Sequence, residues 1–503
     1  MNLPPEQAKA SERPASLYDL VLHGGRVIDP ETATDGICDV GINGSTIAAV
    51  STTPLEGRRV LDVANRVVAP GFIDMHSHCF GTAGLRLQAL DGITTALELE
   101  AGVHPIDRAY QRAALEGRPI NYGFSAGWAA ARLHVKTGRP LSGHANDGLI
   151  AMGVPEWQAE ASPSEVSRIL TLLQSDLRDG ALGIGLLVGY APRVTPAEYT
   201  AVARLAAERG VPTYTHAREL VEQDPDTPID GAEEIVRAAG ETGAHMHYDH
   251  VNSTSLRHLD RVLGVVERAR SHGAHVSTEA YPYGTGMTSI NAAFLDPNVL
   301  YRRGITPHAI QDIATCRRFD SAEDLAKARQ TNSGSLVFVE FFEEDDPTTR
   351  ELLTRALIFP NTTIATDGFE PQWRSTPYND HQWPLPADVV THPRTAGTYS
   401  RSIRTLWRET GALSLMEVIR RSSLLPAQIL AASAPAMSRK GRVQMGADAD
   451  IVVFDPDTVS DQATYTYTTA PSTGYDYVIV NGVELVREGR LRTDQLPGKP
   501  LRA

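Results

Sequence analysis

The sequence predicts an α/β protein whose central part is built on parallel strands, with a smaller β domain contributed by both ends of the chain. From about residue 68 to 430, short apolar strands alternate with amphipathic helices, a pattern typical of repeated strand–helix units. Both ends instead contain short strands separated by Gly, Asn and Asp turns. Repeated strand–helix units form either a barrel or a doubly wound sheet. No Gly-rich dinucleotide fingerprint follows the early strands, which counts against the second.

These patterns divide the chain into three parts. Residues 1–16 are polar, which predicts a flexible arm without the apolar segment of a signal peptide. Residues 17–67 and 432–503 predict a β-sandwich domain formed by both termini. Residues 68–431 form the strand–helix domain inserted into it, an arrangement that is easy when termini lie close together.

The central elements follow one another as apolar strands and as helices that end at glycine. The helices are predicted at 196–210, 231–243 and 259–273. The strands are predicted at 67–78, 92–100, 180–192, 212–219, 244–252 and 274–283.

Composition excludes several classes of partner. The formal net charge is −14, which argues against nucleic acid and anionic membranes because phosphate binding needs a basic face. No run of about 18 apolar residues is present, so no membrane-spanning helix is expected. The chain has three cysteines, a small and odd number that does not indicate a disulfide framework. This count favours a reducing compartment such as the cytoplasm.

The first candidate metal-binding feature is His76-Ser77-His78, at the end of an apolar strand. Residues separated by one lie on the same face of a strand, so both imidazoles can bind one metal ion. The alternative is two polar residues at a strand end.

Three later apolar strands also end in a side chain that can bind a metal ion, two in a histidine and one in an aspartate. His216 follows one of them, where a hydrogen-bonded core histidine is the alternative. The next offers His245, His247 and His250, of which His250 is preferred as a ligand because it is nearest the loop. Asp367 closes another apolar strand, where it either faces the mouth of a barrel or caps the next helix.

In this order, the four features resemble the amidohydrolase superfamily. PGFIDMHSH, YTHARE, the YDH strand and ATDG are similar to its strand 1, 5, 6 and 8 signatures, and GRVQMGADADIVVFDP is similar to its closing stretch. The resemblance implies a (β/α)₈ barrel that binds one or two Zn²⁺ ions through His76, His78, His216 and His250. It also implies that Asp367 acts as general base and acid on a metal-activated water.

Within that superfamily the chain resembles most the N-acyl-D-amino-acid deacylases, or D-aminoacylases. The segments that carry this resemblance are GALGIGLLVGYAP at 180–192, THARE, AYPYGTG at 280–286 and HPRTAGTYSR at 392–401. It extends over about residues 20 to 490. The resemblance implies hydrolysis of a linear amide bond in a small-molecule substrate.

The chain departs from these deacylases at one metal ligand. They carry a cysteine just after the second strand, and related enzymes carry a carboxylated lysine on the fourth. Here the second strand reads GITTALELEAG, with Ala101 at the cysteine position, and the fourth-strand segment contains no lysine. A carboxylate oxygen is a good zinc ligand, and burying it unpaired is costly. Glu100 is therefore predicted to replace the missing ligand, with Glu98 as the alternative.

The predicted substrate-binding residues are Arg394, Tyr281 and Asn252. Arg394 lies in the HPR segment and can bind a carboxylate with two parallel hydrogen bonds. Asn252 follows His250, where the deacylases carry a lysine that holds the substrate carboxylate. Met287 stands where they carry a serine. These departures leave open a substrate that differs from a plain N-acyl-D-amino acid.

Two other functions remain open from sequence alone. A cyclic-amide hydrolase, like hydantoinase or dihydroorotase, would use the same metal geometry. A metal-free scaffold or binding protein would have lost ligands, whereas all four histidines and the aspartate are present here. The sequence leaves the oligomeric state open, including formation of a homo-oligomer.

Overall fold

A computed structural model describes residues 17–331 and 334–503. The predicted arm at 1–16 lies outside the described residues.

Both ends of the chain build one nine-stranded sheet. Eight strands follow one another in the spatial order Arg490–Leu491, Val483–Arg487, Tyr475–Val480, Ile451–Phe454, Val67–Pro70, Leu20–Asp29, Thr34–Asn43 and Thr46–Ser51. The ninth, Val60–Asp62, pairs with Leu20–Asp29 outside this order. The N-terminal and C-terminal halves join where Val67–Pro70 pairs antiparallel with Ile451–Phe454.

The two faces of this sheet serve different purposes, as strand alternation requires. Ile451 and Val453 belong to an apolar cluster of the sheet itself. Val452 and Phe454, which point the other way, belong to the large core that the sheet shares with the central domain. The β domain is thereby fixed on the central domain by one apolar face.

The central domain is a parallel barrel, whose strands we number one to eight. They are Phe72–Asp74, Ile93–Val103, Asn121–Gly127, Ile184–Leu186, Thr213–Thr215, Met246–Tyr248, Val276–Ala280 and Thr362–Ile364. Each strand pairs with the next one in sequence.

The barrel closes between strands eight and one. Thr366 donates its backbone N–H to Asp74 Oδ1 at 3.0 Å, just beyond the two strand ends. Next to it, the short strands Ser77–His78 and Gly368–Phe369 pair in parallel. This closure brings the His76–His78 segment beside Asp367.

Helices surround the barrel. The α-helices are Thr82–Ala89, Ile106–Glu116, Trp128–Thr137, Asn146–Ala151, Pro155–Gln158, Pro163–Arg178, Pro196–Arg209, Gly231–Thr242, Val251–Ser255, Leu259–Ser271, Ala322–Thr331, Pro347–Ile358, Arg394–Ser402, Leu415–Ile419 and Leu425–Leu430. Two π-helical segments are Ile403–Glu409 and Arg420–Leu424. Short 3₁₀ turns are Val188–Tyr190, Leu256–His258, Ala293–Leu295, Leu300–Arg303, Pro307–Ala309 and Pro435–Arg439.

Two small antiparallel sheets lie on the carboxyl-end side of the barrel strands. One, in the long connection between strands seven and eight, consists of Thr285–Ser289, Leu336–Glu340 and Ile310–Asp312. The other, after strand eight, pairs Gln372–Trp373 with Val389–Val390.

The predicted fold class, a (β/α)₈ barrel with a β domain from both termini, is confirmed. Within 17–331 and 334–503, no helix has both the length and the apolar character needed to cross a bilayer.

Candidate metal centre

The predicted metal-binding side chains meet at the carboxyl ends of the barrel strands, where active sites of such barrels lie. They come from strands far apart in sequence and are all buried. The converging residues are His76 and His78 after strand one, Glu100 on strand two, His216 after strand five, His250 after strand six and Asp367 after strand eight.

One half of the cluster surrounds His76 and His78. Their Nε2 atoms lie 3.2 Å apart. Glu100 Oε2 is 3.3 Å from the first and 3.4 Å from the second, and Asp367 Oδ1 is 3.5 Å from each. Four potential ligand atoms thus face one small volume.

The other half surrounds the second oxygen of Glu100. Glu100 Oε1 lies 2.8 Å from His216 Nδ1 and 2.9 Å from His250 Nε2. One carboxylate therefore faces both halves of the cluster, which is the arrangement that a bridge between two metal ions requires.

Glu98, the alternative ligand, occupies a different position. Its Oε2 accepts a hydrogen bond from His78 Nδ1 at 2.6 Å, and its Oε1 accepts one from the Ala101 backbone N–H at 3.0 Å. Glu98 thus orients a candidate ligand from behind, while Glu100 faces the cluster.

The donor set fits a bound cation. The Nδ1 atoms of His76 and His78 both face carboxylates, to which they donate, so both Nε2 atoms present lone pairs. Two lone pairs and the Glu100 oxygen cannot satisfy one another without a positive charge between them. Neutral imidazole and carboxylate are ligands that Zn²⁺ accepts.

Electrostatics favour the same conclusion. Burial would lower the pKa of His76, but Glu279 and Glu100 raise it well above its ordinary value, so the local field favours positive charge. Burial lowers the pKa of His216 to about 4, so this ring is neutral at pH 7 and has a lone pair to offer.

Asp367 is held ionised beside this cluster. Burial would raise its pKa, but Arg394, with Nη2 2.8 Å from Asp367 Oδ2, and His76 hold the pKa below its ordinary value. Both Asp367 and His250 adopt positive φ, 49° and 29°. Non-glycine residues in that region carry strain and often occur at functional sites.

The predicted substrate residues are placed differently from one another. Tyr281 lines the cavity of about 30 Å³ beside His250 and Asp367. Arg394 is fully buried against Asp367, with its guanidinium 4.6 Å from the ring centre of Tyr281, and does not line that cavity. Asn252 hydrogen-bonds the backbone of Tyr281 and does not line it either.

Several neighbours of the centre were not predicted. Glu279 on strand seven accepts a hydrogen bond from His76 Nδ1 at 2.5 Å, and Asp74 accepts one from the His76 backbone N–H at 3.2 Å. Arg303 lines both the inner cavity and an adjoining one of about 530 Å³. The sequence signal that could have indicated Glu279 is that it is a single carboxylate within an apolar strand, two residues before Tyr281.

Comparison with known proteins supports the family suggested by the motifs. The pattern that defines the amidohydrolase family matches residues 59–486. Two relatives come from Alcaligenes xylosoxydans xylosoxydans. An N-acyl-D-glutamate deacylase is 29% identical over 92% of this chain and 93% of its own length, and a D-aminoacylase is 26% identical over 95% and 96%.

Solved structures share the fold. The N-acyl-D-glutamate deacylase of Bordetella bronchiseptica, solved with zinc and a phosphonate inhibitor, superposes with a TM-score of 0.74 at 24% identity, covering 97% of this chain and all of that one. A D-hydantoinase from Thermus sp. has a TM-score of 0.60 at 17% identity over 96% and 98%.

This chain belongs to the amidohydrolase family. It is a metal-dependent hydrolase of amide C–N bonds, homologous over its full length to N-acyl-D-amino-acid deacylases. The resemblance drawn from the motifs is confirmed.

Proposed function

We propose that this hydrolase is a zinc-dependent deacylase that releases the acyl group of an N-acyl-D-amino acid or a close analogue. The observation that carries the proposal is the convergence of four histidines, Glu100 and Asp367 on one buried cluster. The names of the two relatives above supply the substrate class.

The proposed ligands divide between two positions. His76 and His78 would hold one ion, His216 and His250 would hold a second, and Glu100 would offer one oxygen to each. Zn²⁺ at such a centre makes water a stronger acid and polarises a carbonyl group.

Asp367 moves the proton in this mechanism. Its carboxylate is ionised, so it accepts a proton from the attacking water and later donates it to the leaving nitrogen. Arg394 keeps the carboxylate in place through the contact with Oδ2 and a hydrogen bond from Nε to the Asp367 carbonyl at 2.7 Å.

For substrate binding, Tyr281 is the predicted residue with the strongest support, because it lines the cavity beside Asp367. Arg394 and Asn252 remain predictions, and in this structure both act on neighbouring protein groups. A cytoplasmic location and homo-oligomer formation also remain predictions.

Cyclic-amide hydrolysis is the second candidate. The hydantoinase fold is similar, but its TM-score of 0.60 is lower than the 0.74 of the deacylases. Curated dihydroorotases and allantoinases also match, with 23–26% identity over the longer matches. A metal-free scaffold is disfavoured because every proposed ligand is present.

The test is a substrate panel with the zinc-loaded protein. We expect turnover of N-acetyl-D-amino acids, with little or none of the L-enantiomers, of hydantoin or of dihydroorotate. Turnover of the cyclic amides alone would favour the second candidate, and no turnover together with no bound zinc would favour a scaffold.

The companion variant is Asp367→Asn. We expect kcat/KM to fall by about 10² to 10⁴, because general acid–base catalysis is lost, while zinc content measured by plasma mass spectrometry stays near that of the wild type. Asp345→Asn, at an exposed position outside the site, is the matched control. Full activity of Asp367→Asn would rule out this role.

A further inference from the structure

A column of polar side chains runs through the barrel from its amino-terminal end to the candidate metal centre. His245 Nε2 lies 2.8 Å from Ser277 Oγ, which lies 2.7 Å from His247 Nδ1. His247 Nε2 lies 3.2 Å from Glu279 Oε2, and Glu279 Oε1 lies 2.5 Å from His76 Nδ1. Four consecutive hydrogen bonds therefore connect a half-buried histidine to a proposed zinc ligand.

Strand register explains the column. His247 on strand six and His245, just before that strand, are two residues apart and point to one side, as do Ser277 and Glu279 on strand seven. His247 is paired directly with Ser277 across the two strands. The interior of such barrels is ordinarily filled by branched apolar side chains. Buried polar groups are tolerated there when every member is hydrogen-bonded.

The donors and acceptors fit in only one direction if His76 Nε2 is to keep its lone pair. His76 Nδ1–H then donates to Glu279, and His247 Nε2–H donates to the other oxygen of the same carboxylate. His247 Nδ1 consequently accepts from the Ser277 hydroxyl, whose oxygen accepts from His245 Nε2–H. In this arrangement each link fixes the tautomer of the next.

We propose that His247 and Ser277 are positioning residues for the metal centre. They hold the Glu279 carboxylate in the orientation that fixes the ring and the tautomer of His76. The proposal rests on the proposed zinc centre. It adds that zinc affinity depends on residues that touch neither the ion nor its ligands.

The test compares His247→Phe with His247→Gln in the full chain. Phenylalanine removes the donor to Glu279, whereas the glutamine amide can replace Nε2–H. Zinc affinity is measured by competition with a chromophoric chelator. Partners of metal-bound histidines typically change metal affinity by about 10- to 100-fold. We expect about a tenfold loss or more in His247→Phe and recovery to within a few-fold in His247→Gln.

A second pair covers the case in which His247→Phe does not fold. Ser277→Ala removes the hydroxyl and Ser277→Thr retains it, so we expect weaker zinc binding only in the first. Thermal unfolding of the zinc-free proteins is the control, because a purely structural role would lower stability and leave zinc affinity unchanged.

The outcomes separate this proposal from the proposed function. If the wild type binds zinc and all four variants bind it equally well, the positioning role is wrong and the deacylase proposal stands. A wild type that binds no zinc would overturn both. Lower affinity in His247→Phe and Ser277→Ala, without turnover of any tested amide, would support the positioning role and contradict the deacylase.

Discussion

At the scale of single residues, two glutamates on the second barrel strand have the same chemistry but different neighbours. Glu100 directs one oxygen to His76 and His78 and the other to His216 and His250. Glu98, two residues earlier, faces the back of His78 instead. In the proposed zinc centre, strand geometry therefore makes Glu100 the bridging residue and Glu98 a residue that orients His78.

This difference predicts distinct effects of Glu100→Gln and Glu98→Gln. A neutral amide is a poor bridge between two cations, so we expect Glu100→Gln to lower the zinc stoichiometry even at saturating zinc. Glu98→Gln retains every proposed ligand, so the stoichiometry should persist while affinity falls about 10- to 100-fold. Equal stoichiometry and affinity in both variants would contradict the assignment.

The residue pattern could be predicted because ligands at strand ends leave local signals, such as H-x-H or a histidine that closes an apolar run. Glu279 left only a lone carboxylate within a strand, without a partner at a defined spacing. Its partners, His76 and His247, are distant in sequence and meet it only through barrel closure and strand register. Likewise, no spacing in the sequence indicated the contact between Arg394 and Asp367; a role of Arg394 in binding substrate stays a prediction.

At the scale of elements, the start of helix Thr82–Ala89 is capped by carboxylates from a distant segment. Gly81, at the N-cap, has no side chain to accept the free backbone N–H groups. Glu370 Oε2 accepts from Phe80 N and Gly81 N at 2.8 and 2.9 Å, and Asp380 accepts from Thr82 N and Ala83 N. A β-carbon at Gly81 would come within 2.7 Å of oxygens of both carboxylates, so a side chain here would displace them from the helix start.

This arrangement predicts that the free energy of unfolding depends on pH through Glu370. Burial and the neighbouring Asp380 raise the pKa of Glu370 from 4.5 to about 7. The folded state therefore binds this proton more tightly than the unfolded state. The stabilising contribution is complete below about pH 4.5 and is lost as pH rises to about 7.

Glu370→Gln should remove that loss, because the amide places no negative charge beside Asp380. We expect the variant to be more stable than the wild type at pH 8, by at most about 3 kcal/mol in the free energy of unfolding, with the difference shrinking towards pH 4.5. Thermal unfolding across this range is the measurement. A constant difference over all pH values would contradict the argument.

Elements with strong local signals could be predicted from sequence. Helix Pro196–Arg209 has a Thr195 cap, a proline at its first position and Gly210 at its end, and the predicted 196–210 differs from it by one residue. The sheet of Thr285–Ser289, Leu336–Glu340 and Ile310–Asp312 was not predicted. Its strands are short, and up to 55 residues separate the paired positions.

At the scale of the whole molecule, a buried polar cluster joins the β domain to the amino-terminal end of the barrel. Asp450 Oδ2 accepts from Lys440 Nζ at 2.6 Å and from Asn121 Nδ2, on barrel strand three, at 2.9 Å. Asp450 Oδ1 accepts from the Asn481 backbone N–H at 2.7 Å. The two domains are thus joined by a hydrogen bond to a buried carboxylate as well as by apolar contact.

Asp450→Ala should destabilise the protein by about 3 kcal/mol, because the buried Lys440 ammonium group loses a partner. It then keeps only Asp448, 3.0 Å away. Denaturant unfolding measures the change. The matched control is Lys440→Met alone and combined with Asp450→Ala. The double variant should lose less stability than the sum of the single variants. Strict additivity would show that the pair does not act as a unit.

The overall division of the chain could be predicted because turn-rich strands at both ends contrast with strand–helix units between them. Where the two parts meet depends on a pairing that sequence does not reveal. Val67–Pro70 belongs to the nine-stranded sheet through its partner Ile451–Phe454, although it directly precedes the first barrel strand.

That pairing has a consequence for synthesis on the ribosome. Val67–Pro70 emerges about 380 residues before the strand that covers its edge, which is a delay of about 20 to 80 s at ordinary elongation rates of about 5 to 20 residues per second. Throughout that interval, its apolar backbone edge is open to pairing with other chains. We expect nascent chains stalled before residue 451 to be retained by chaperones, and chains in which Ile451–Phe454 has paired with Val67–Pro70 to escape them.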